Sequence, residues 1–153
     1  MKSEDETFIG KFFNFVENLP VYHSMTIGGR KYVFVHAGIK EGIPLDEQDG
    51  EFMMWARAKF FDKEIGYNGN DIVIVGHTPV QTLVADKNSV MMKLHNGRIL
   101  VGYTNEEKLP DNPQPYKIPG RNILMMDTGS FVRKGKISAV DILSGNFWGS
   151  DTD

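Results

Sequence analysis

Two short apolar runs that each end on a histidine constrain the fold of this 153-residue chain more than any other feature. The first is YVFVHAG at 32–38, and the second is IVIVGHTP at 72–79. Apolar runs of this length indicate strands that are buried on both faces, as in parallel sheets. Functional side chains of such sheets collect beyond the carboxyl ends of the strands, where imidazoles can bind a transition metal. His36 and His77 are therefore candidate metal ligands.

A structural explanation of the two histidines competes with this one. A single histidine at a strand end is more often a hydrogen-bonded structural residue than a ligand. Two histidines in matched contexts, with Gly38 and Gly76 allowing close approach of the backbone, bring the two explanations into balance. The spacing of the residues alone leaves both open.

Composition and charge narrow the class of protein. A hydrophobic content of 41% is sufficient for the core of one domain spanning 1–153. The net charge of −3 creates no field that favours nucleic acid or an anionic membrane. The absence of cysteine excludes disulfides and thiolate ligands, and no apolar run approaches the roughly 18 residues of a membrane span. The acidic N-terminus is unlike a secretory signal, so we expect a cytoplasmic protein without nucleic-acid or membrane partners.

Local patterns predict the secondary structure. An amphipathic helix starts near Ser3 and ends near Asn18, and a second helix covers 51–63. The predicted strands are runs of β-branched or aromatic residues bounded by turn residues, at 21–27, 31–35, 71–75, 89–94, 98–101, 121–126 and 136–143. The last two are expected to pair with each other. The segment of about 105–120 contains four prolines and is predicted to be an irregular loop.

Four motifs resemble the second half of the phosphoprotein phosphatase family, a calcineurin-like branch of the dinuclear metallophosphoesterases. FVHAGI at 34–39 and IVGHTPV at 74–80 surround the two histidines. MWAR at 54–57 is similar to the family's W-x-R segment, and LMMDTG at 124–129 is similar to its I-D-T-G strand. The motifs follow the family order across about 19–143, and HAG and DTG are typical of its bacterial branch.

The resemblance implies a fold and an incomplete chain. The expected fold class is α/β (α+β), as part of the metallophosphoesterase β-sandwich of two mixed sheets flanked by helices. The family's first blocks, G-D-x-H-G, G-D-x-x-D-R-G and G-N-H-E, do not occur here. We therefore expect the chain to be the C-terminal portion of the domain, with the N-terminal half of the fold absent.

The resemblance also implies roles for individual residues. His36 and His77 would bind one ion of a divalent metal pair, and Arg57 would contact the phosphate. Two histidines suit manganese, iron or zinc better than magnesium, and the resemblance implies manganese first, with iron or zinc as alternatives. Asp127 is a candidate hydrogen-bond acceptor behind a metal-bound imidazole, or else a cap of the turn at Thr128. Trp55 is expected in the core rather than against substrate.

The implied function of the complete protein is that of a serine/threonine protein phosphatase, which hydrolyses phosphoserine and phosphothreonine in proteins with a metal-activated water. One alternative is a symmetrical diadenosine tetraphosphate hydrolase, and another is a non-catalytic remnant that serves as an interaction domain. We expect this chain alone to be inactive and to bind at most one metal ion weakly. Its open apolar faces and sheet edges predict association with the missing N-terminal half or self-association as a dimer.

Overall fold

A mixed five-stranded sheet organises the part of the chain that the computed structural model describes, which is 2–62, 64, 66–84, 90–95, 98–103, 109–132 and 134–150. The helices are α1 (Lys2–Glu17), α2 (Gly50–Trp55), α3 (Ala58–Phe61) and α4 (Gln81–Val84), with a 3-10 turn at Leu45–Glu47. The strands are β1 (Tyr22–Ile27), β2 (Arg30–Val35), β3 (Ile72–Val75), β4 (Val90–His95), β5 (Arg98–Tyr103), β6 (Tyr116–Lys117), β7 (Ile123–Met125), β8 (Ser138–Val140) and β9 (Phe147–Gly149). The predicted α/β class is confirmed at this level, with few helices and a mixed sheet.

The order of the sheet is β1-β2-β3-β7-β6, and its three central strands run parallel. β1 pairs antiparallel with β2, and β6 pairs antiparallel with β7. Val35 is the register partner of Val75, which in turn is the partner of Met125. The carboxyl ends of the central strands are therefore level, and the residues that follow them meet at one edge.

The N-terminal third follows the sequence prediction closely. α1 ends at Glu17, before Pro20, as expected of a helix that approaches proline. Gly28 and Gly29 connect β1 to β2 with φ values of +57° and +76°. Two consecutive residues with positive φ are typical of a tight hairpin turn whose twist matches that of the strands, which explains the Gly-Gly pair.

The core lies on the face of the sheet that α2 and α3 cover. Alternate residues of the central strands point to this face because side chains of a strand alternate between its two sides. The side chains exposed by 1% or less there are Val33, Ala37, Met53, Phe60, Val73, Val75, Val80, Ile123 and Met125.

The predicted helix at 51–63 is wrong as a single element. α2 ends at Trp55 and α3 begins at Ala58, with Arg57 between them at φ −136° and ψ −109°. The Arg57 guanidinium donates a hydrogen bond to the backbone carbonyl of His77, on the loop after β3. This contact between distant parts of the chain accompanies the break, and no local helical pattern can encode it.

The predicted pairing of the last two strands is also wrong. β7 is central and pairs with β3 and β6, while β8 pairs with β9. Ile123 and Met125 of β7 are fully buried, whereas the residues of β8 are partly or fully exposed. The pairing partners of β7 are therefore determined by burial inside the sheet and not by nearness in sequence.

Two further predictions concern the second half of the chain. The strands predicted at 89–94 and 98–101 correspond to β4 and β5, which form an antiparallel pair in a separate two-stranded sheet, while 96–97 between them lie outside the described residues. The proline-rich segment is irregular except for the two residues of β6, and 104–108 lie outside the described residues. Among the described residues, no helix has the length and apolar character needed to cross a bilayer.

Candidate metal-binding site

His36 and His77 come together at the carboxyl edge of the sheet. They follow β2 and β3, which are parallel neighbours with Val35 opposite Val75. Nε2 of His36 lies 3.0 Å from Nδ1 of His77, and the ring centroids are 4.8 Å apart with planes inclined by 57°. The structure therefore brings together the two histidines that the sequence singled out, although they are 41 residues apart.

The separation of these nitrogens fits a shared transition metal. Histidine nitrogens bind such an ion at about 2.1 Å, so two of them at roughly right angles around one ion lie about 3.0 Å from each other. The same distance suits a hydrogen bond between the rings, with a direction that depends on the tautomers. The distance is therefore compatible with either a hydrogen bond or a common ion, and binding an ion requires each ring to turn by about 45° so that both nitrogen lone pairs point at it.

The backbone of His77 has an unusual conformation. Its φ is +60°, in the left-handed region that non-glycine residues seldom adopt, although histidine does so more readily than most. Gly76 N donates to the carbonyl of His36 (2.9 Å), and Thr78 N donates to the carbonyl of Gly76 (2.6 Å). Strained residues of this kind cluster at functional sites, because the surrounding contacts must hold them there.

The electrostatic environment keeps both rings neutral near pH 7. Burial, the Arg57 guanidinium and the His36 ring together lower the pKa of His77 to about 4. Burial lowers the pKa of His36 as well, against the opposing charge of Asp127 and with a smaller contribution from Arg57. The neutral imidazole is the form that binds metal, so protons compete little with an ion at neutral pH.

Arg57 lies directly beside the pair. Its Nη1 donates to the carbonyl oxygen of His77 at 3.1 Å and contacts Oγ1 of Thr78 at 3.4 Å. The side chain is half-buried, which fixes a guanidinium next to the histidines. Its predicted contact with a phosphate group stays a prediction.

Asp127 caps a turn and also acts on the site electrostatically. Its Oδ1 accepts a hydrogen bond from Gly129 N at 2.8 Å, as expected of an acid that caps a turn after a strand. Its charge raises the pKa of His36, so the carboxylate is close enough to be felt by the ring. Among the described residues neither imidazole donates a hydrogen bond to Asp127, and its predicted role behind a metal-bound histidine stays a prediction.

Trp55 is a part of the site that the sequence analysis assigned to the core. Its side chain is 50% exposed, and its ring meets the His77 ring edge to face at 5.6 Å and 88°. Met54 next to it is also exposed. Ala37 N donates to the carbonyl of Met53 at 2.7 Å, which ties the end of α2 to the loop after His36. The sequence held one indication that Trp55 belongs to the site, since it precedes Arg57 of the same motif by two residues.

The pair stands without a third metal-binding side chain nearby in the described part of the chain. Within that part, no group of three or more His, Cys, Asp or Glu side chains is arranged to hold a metal ion. The buried Nε2 of His77 also lacks a hydrogen-bond partner among those residues. Two imidazole nitrogens and a neighbouring guanidinium are therefore the chemical groups that this arrangement offers.

Comparison with models of known protein families found no match to the chain, and comparison with curated proteins found none either. The resemblance to the phosphoprotein phosphatases therefore depends on the four sequence motifs alone.

Proposed function

We propose that this chain is the C-terminal portion of a bacterial-type, metal-dependent serine/threonine protein phosphatase. The observation that supports it most strongly is the convergence of His36 Nε2 and His77 Nδ1 to 3.0 Å, with the Arg57 guanidinium bound to the His77 backbone. These are the three residues to which the motifs assign metal and phosphate contacts. The mixed sheet would be one layer of the metallophosphoesterase sandwich.

Each side chain has a definite task in this proposal. His36 and His77 would hold one divalent ion, with manganese favoured and iron or zinc as alternatives. Such an ion lowers the pKa of water and neutralises phosphate charge. Arg57 would donate parallel hydrogen bonds to two phosphate oxygens, which its planar guanidinium suits better than a lysine would. Trp55 would cover one side of His77 and limit its contact with solvent.

One observation favours a nucleotide as the alternative substrate. The half-exposed ring of Trp55 borders the histidine pair, and a nucleobase can stack on such a ring. This supports the diadenosine tetraphosphate hydrolase as the second enzymatic candidate. A peptide substrate needs no flat aromatic partner, so Trp55→Leu should weaken the hydrolysis of diadenosine tetraphosphate far more than that of a phosphopeptide.

A non-catalytic interaction domain is the remaining alternative. It is favoured by the two-ligand site within the described residues and by the exposed apolar face of α1. Under this alternative the chain binds metal no better than a surface histidine pair, and no added polypeptide confers activity.

Metal binding by the purified chain tests the proposal first. Co²⁺ is titrated into the Trp148→Phe variant, which leaves Trp55 as the remaining tryptophan of the two, while visible absorption and fluorescence are recorded. We expect saturable binding that quenches Trp55, because its ring lies 5.6 Å from that of His77. His36→Ala or His77→Ala should weaken binding by about 100-fold, in line with the loss of one of two ligands.

His23→Ala is the matched control, since His23 lies on β1 and contacts Phe34 rather than the pair. Equal Co²⁺ affinity of the two site variants and the unchanged chain would disprove the metal site. Activity is then assayed on a phosphoserine peptide and on diadenosine tetraphosphate, for the chain alone and co-expressed with a polypeptide that carries the G-D-x-H-G and G-N-H-E blocks. Activity that requires both polypeptides and Arg57 supports the phosphatase proposal, and its absence supports the interaction domain.

A further inference from the structure

The apolar side of α1 is uncovered along its whole described length. Six large side chains on this side are 44–70% exposed, and they are Phe8, Ile9, Phe12, Phe13, Phe15 and Val16. At 3.6 residues per turn they span about 160° of the helix circumference. The opposite side carries Gly10, Lys11, Asn14 and Glu17. α1 is therefore an amphipathic helix whose apolar side still needs a partner.

The area of this surface exceeds what a monomer normally exposes. An aromatic side chain offers about 150–250 Å², so the exposed fractions of the six residues amount to roughly 600 Å². Leu19 and Val21 follow α1 in the chain and Met25 lies on β1; these three side chains are 39–48% exposed, which raises the total for α1 and β1 to roughly 800 Å². The largest apolar patch of a typical monomer is about 300–600 Å², whereas one side of a stable dimer interface is about 800 Å².

The apolar side of α1 adjoins β1, which is an unprotected edge strand of the sheet. Val16 and Leu19 line a groove of about 580 Å³ together with Tyr22 and His23 of β1, and the groove continues across β2 and β3 to His36. β1 is the terminal strand of the five-stranded sheet, and within the described residues it pairs with β2 alone. Monomeric proteins protect such edges with lysine, proline or bulges. The sequence of β1, YHSMTI, contains no lysine, no proline and no other formally charged residue at neutral pH.

We propose that β1 and the apolar side of α1 form a two-fold interface between two copies of this chain. An edge strand is complementary to itself, because two antiparallel copies exchange backbone hydrogen bonds around an axis at their midpoint. In β1 this axis falls between Ser24 and Met25, and the strand carries no charges to repel its copy. The second copy continues the sheet to ten strands, and the two α1 helices bury their apolar sides against the paired subunits.

Light scattering coupled to size exclusion, in EDTA to prevent metal bridging, tests this interface. The chain at about 100 µM should elute at twice its 17.3 kDa mass. Phe8→Gln/Phe15→Gln removes two side chains that are 70% and 62% exposed, and it should weaken dimerisation by about tenfold or more. Met25→Lys places a cation on each strand beside the axis and should weaken it comparably, through repulsion.

Ile137→Gln/Leu143→Gln is the matched control, because these side chains are 72% and 70% exposed but lie in the β8–β9 region. The control should dimerise like the unchanged chain, and circular dichroism should show that all variants are folded. A monomer at about 100 µM, a polydisperse aggregate, a dimer insensitive to either the α1 or the Met25 variant, or equal weakening by the control would overturn the proposal. Because His36 also lines the groove beside this interface, Co²⁺ binding is measured on the same α1 and Met25 variants, which change no proposed metal ligand. Weakened dimerisation with unchanged Co²⁺ binding keeps this proposal separate from the phosphatase proposal.

Discussion

The packed core and the histidine pair are separated by only a few residues on β2 and β3, yet they are built in opposite ways. Val33 and Val73 are fully buried among other apolar side chains. His77 has a left-handed backbone, a buried nitrogen without a partner among the described residues, and a half-exposed tryptophan against its ring. The difference indicates that the buried strands stabilise the fold. The strained turn after them lowers this stability, and it holds the two imidazole rings together.

Three hydrogen bonds join the turn that contains His77 to distant parts of the chain. Arg57 binds the carbonyl of His77, Gly76 N binds the carbonyl of His36, and Val80 N binds the carbonyl of Asp127 at 2.8 Å. Each contact joins the turn to a different part of the chain. The strain is therefore maintained by tertiary structure rather than by local preference.

The largest expected difference between core and site comes from removing an aromatic ring in each. Phe60→Ala should lower the free energy of unfolding by about 3–5 kcal/mol, because Phe60 is fully buried. Trp55→Ala should cost about 1 kcal/mol or less, because half of its side chain already faces solvent. Urea denaturation followed by circular dichroism measures both. Equal losses would mean that Trp55 belongs to the core after all.

A smaller contrast is expected between the two motif glycines. A Cβ at Gly38 would lie 2.7 Å from the ring of Phe60, whereas one at Gly76 would meet only the carbonyl of His36 at 3.7 Å. Gly38→Ala should therefore destabilise the fold by about 1–3 kcal/mol through overpacking. Gly76→Ala should be neutral or stabilising by up to about 1 kcal/mol. Thermal unfolding measures the stability of both variants. A larger loss of stability for Gly76→Ala than for Gly38→Ala would show that the tight contact is not the one between Gly38 and Phe60.

Substitutions at His77 should separate backbone strain from metal binding. His77→Val should lower the free energy of unfolding by about 1–2 kcal/mol, because a β-branched residue tolerates positive φ poorly. His77→Asn should leave it unchanged or raise it by up to about 1 kcal/mol, since asparagine accepts this conformation and removes the unpaired ring nitrogen. Both should lose Co²⁺ binding. If His77→Asn destabilised the fold as much as His77→Val, the backbone conformation of His77 would not be the source of the strain.

The last expected effect is a dependence of stability on pH that belongs to the site alone. The unfolded histidine titrates near 6.5, while the pKa of folded His77 is about 4, so below pH 6.5 the unfolded state binds more protons. The contribution of the neutral ring is complete above pH 6.5 and is lost as the pH falls toward 4. Urea denaturation in EDTA at successive pH values should show this loss in the unchanged chain and in Val33→Ala, but less of it in His77→Asn. Identical pH profiles for all three would assign the acid sensitivity to other groups.

Much of the fold followed from local pattern. The helix α1, the Gly-Gly hairpin and strands β2 and β3 were predictable because period, turn residues and proline act over a few positions. The break at Arg57 and the central place of β7 were not, because each depends on a partner far along the chain. Pairing between distant strands is settled by which surfaces become buried together, and no local segment contains that information.

The candidate site divides in the same way. His36 and His77 were identified from their strand-end contexts, and their convergence agrees with the expectation for neighbouring parallel strands. The exposure of Trp55 was missed because an aromatic residue on a short helix is indistinguishable from a core residue until the helix is placed. The roles of Arg57 and Asp127 stay predictions that metal and activity measurements must test.

By itself the sequence determined where β2 and β3 end, that a histidine follows each of them, and that an uncharged strand follows an amphipathic helix. Only the tertiary structure decided that β2 and β3 are neighbours in register, so that the two imidazoles approach to 3.0 Å, and that β1 and α1 remain uncovered. The physical reason is the distance along the chain over which each interaction acts. Turns and hydrophobic periods act between adjacent residues, whereas proximity and exposure result from how the whole chain buries its apolar surface.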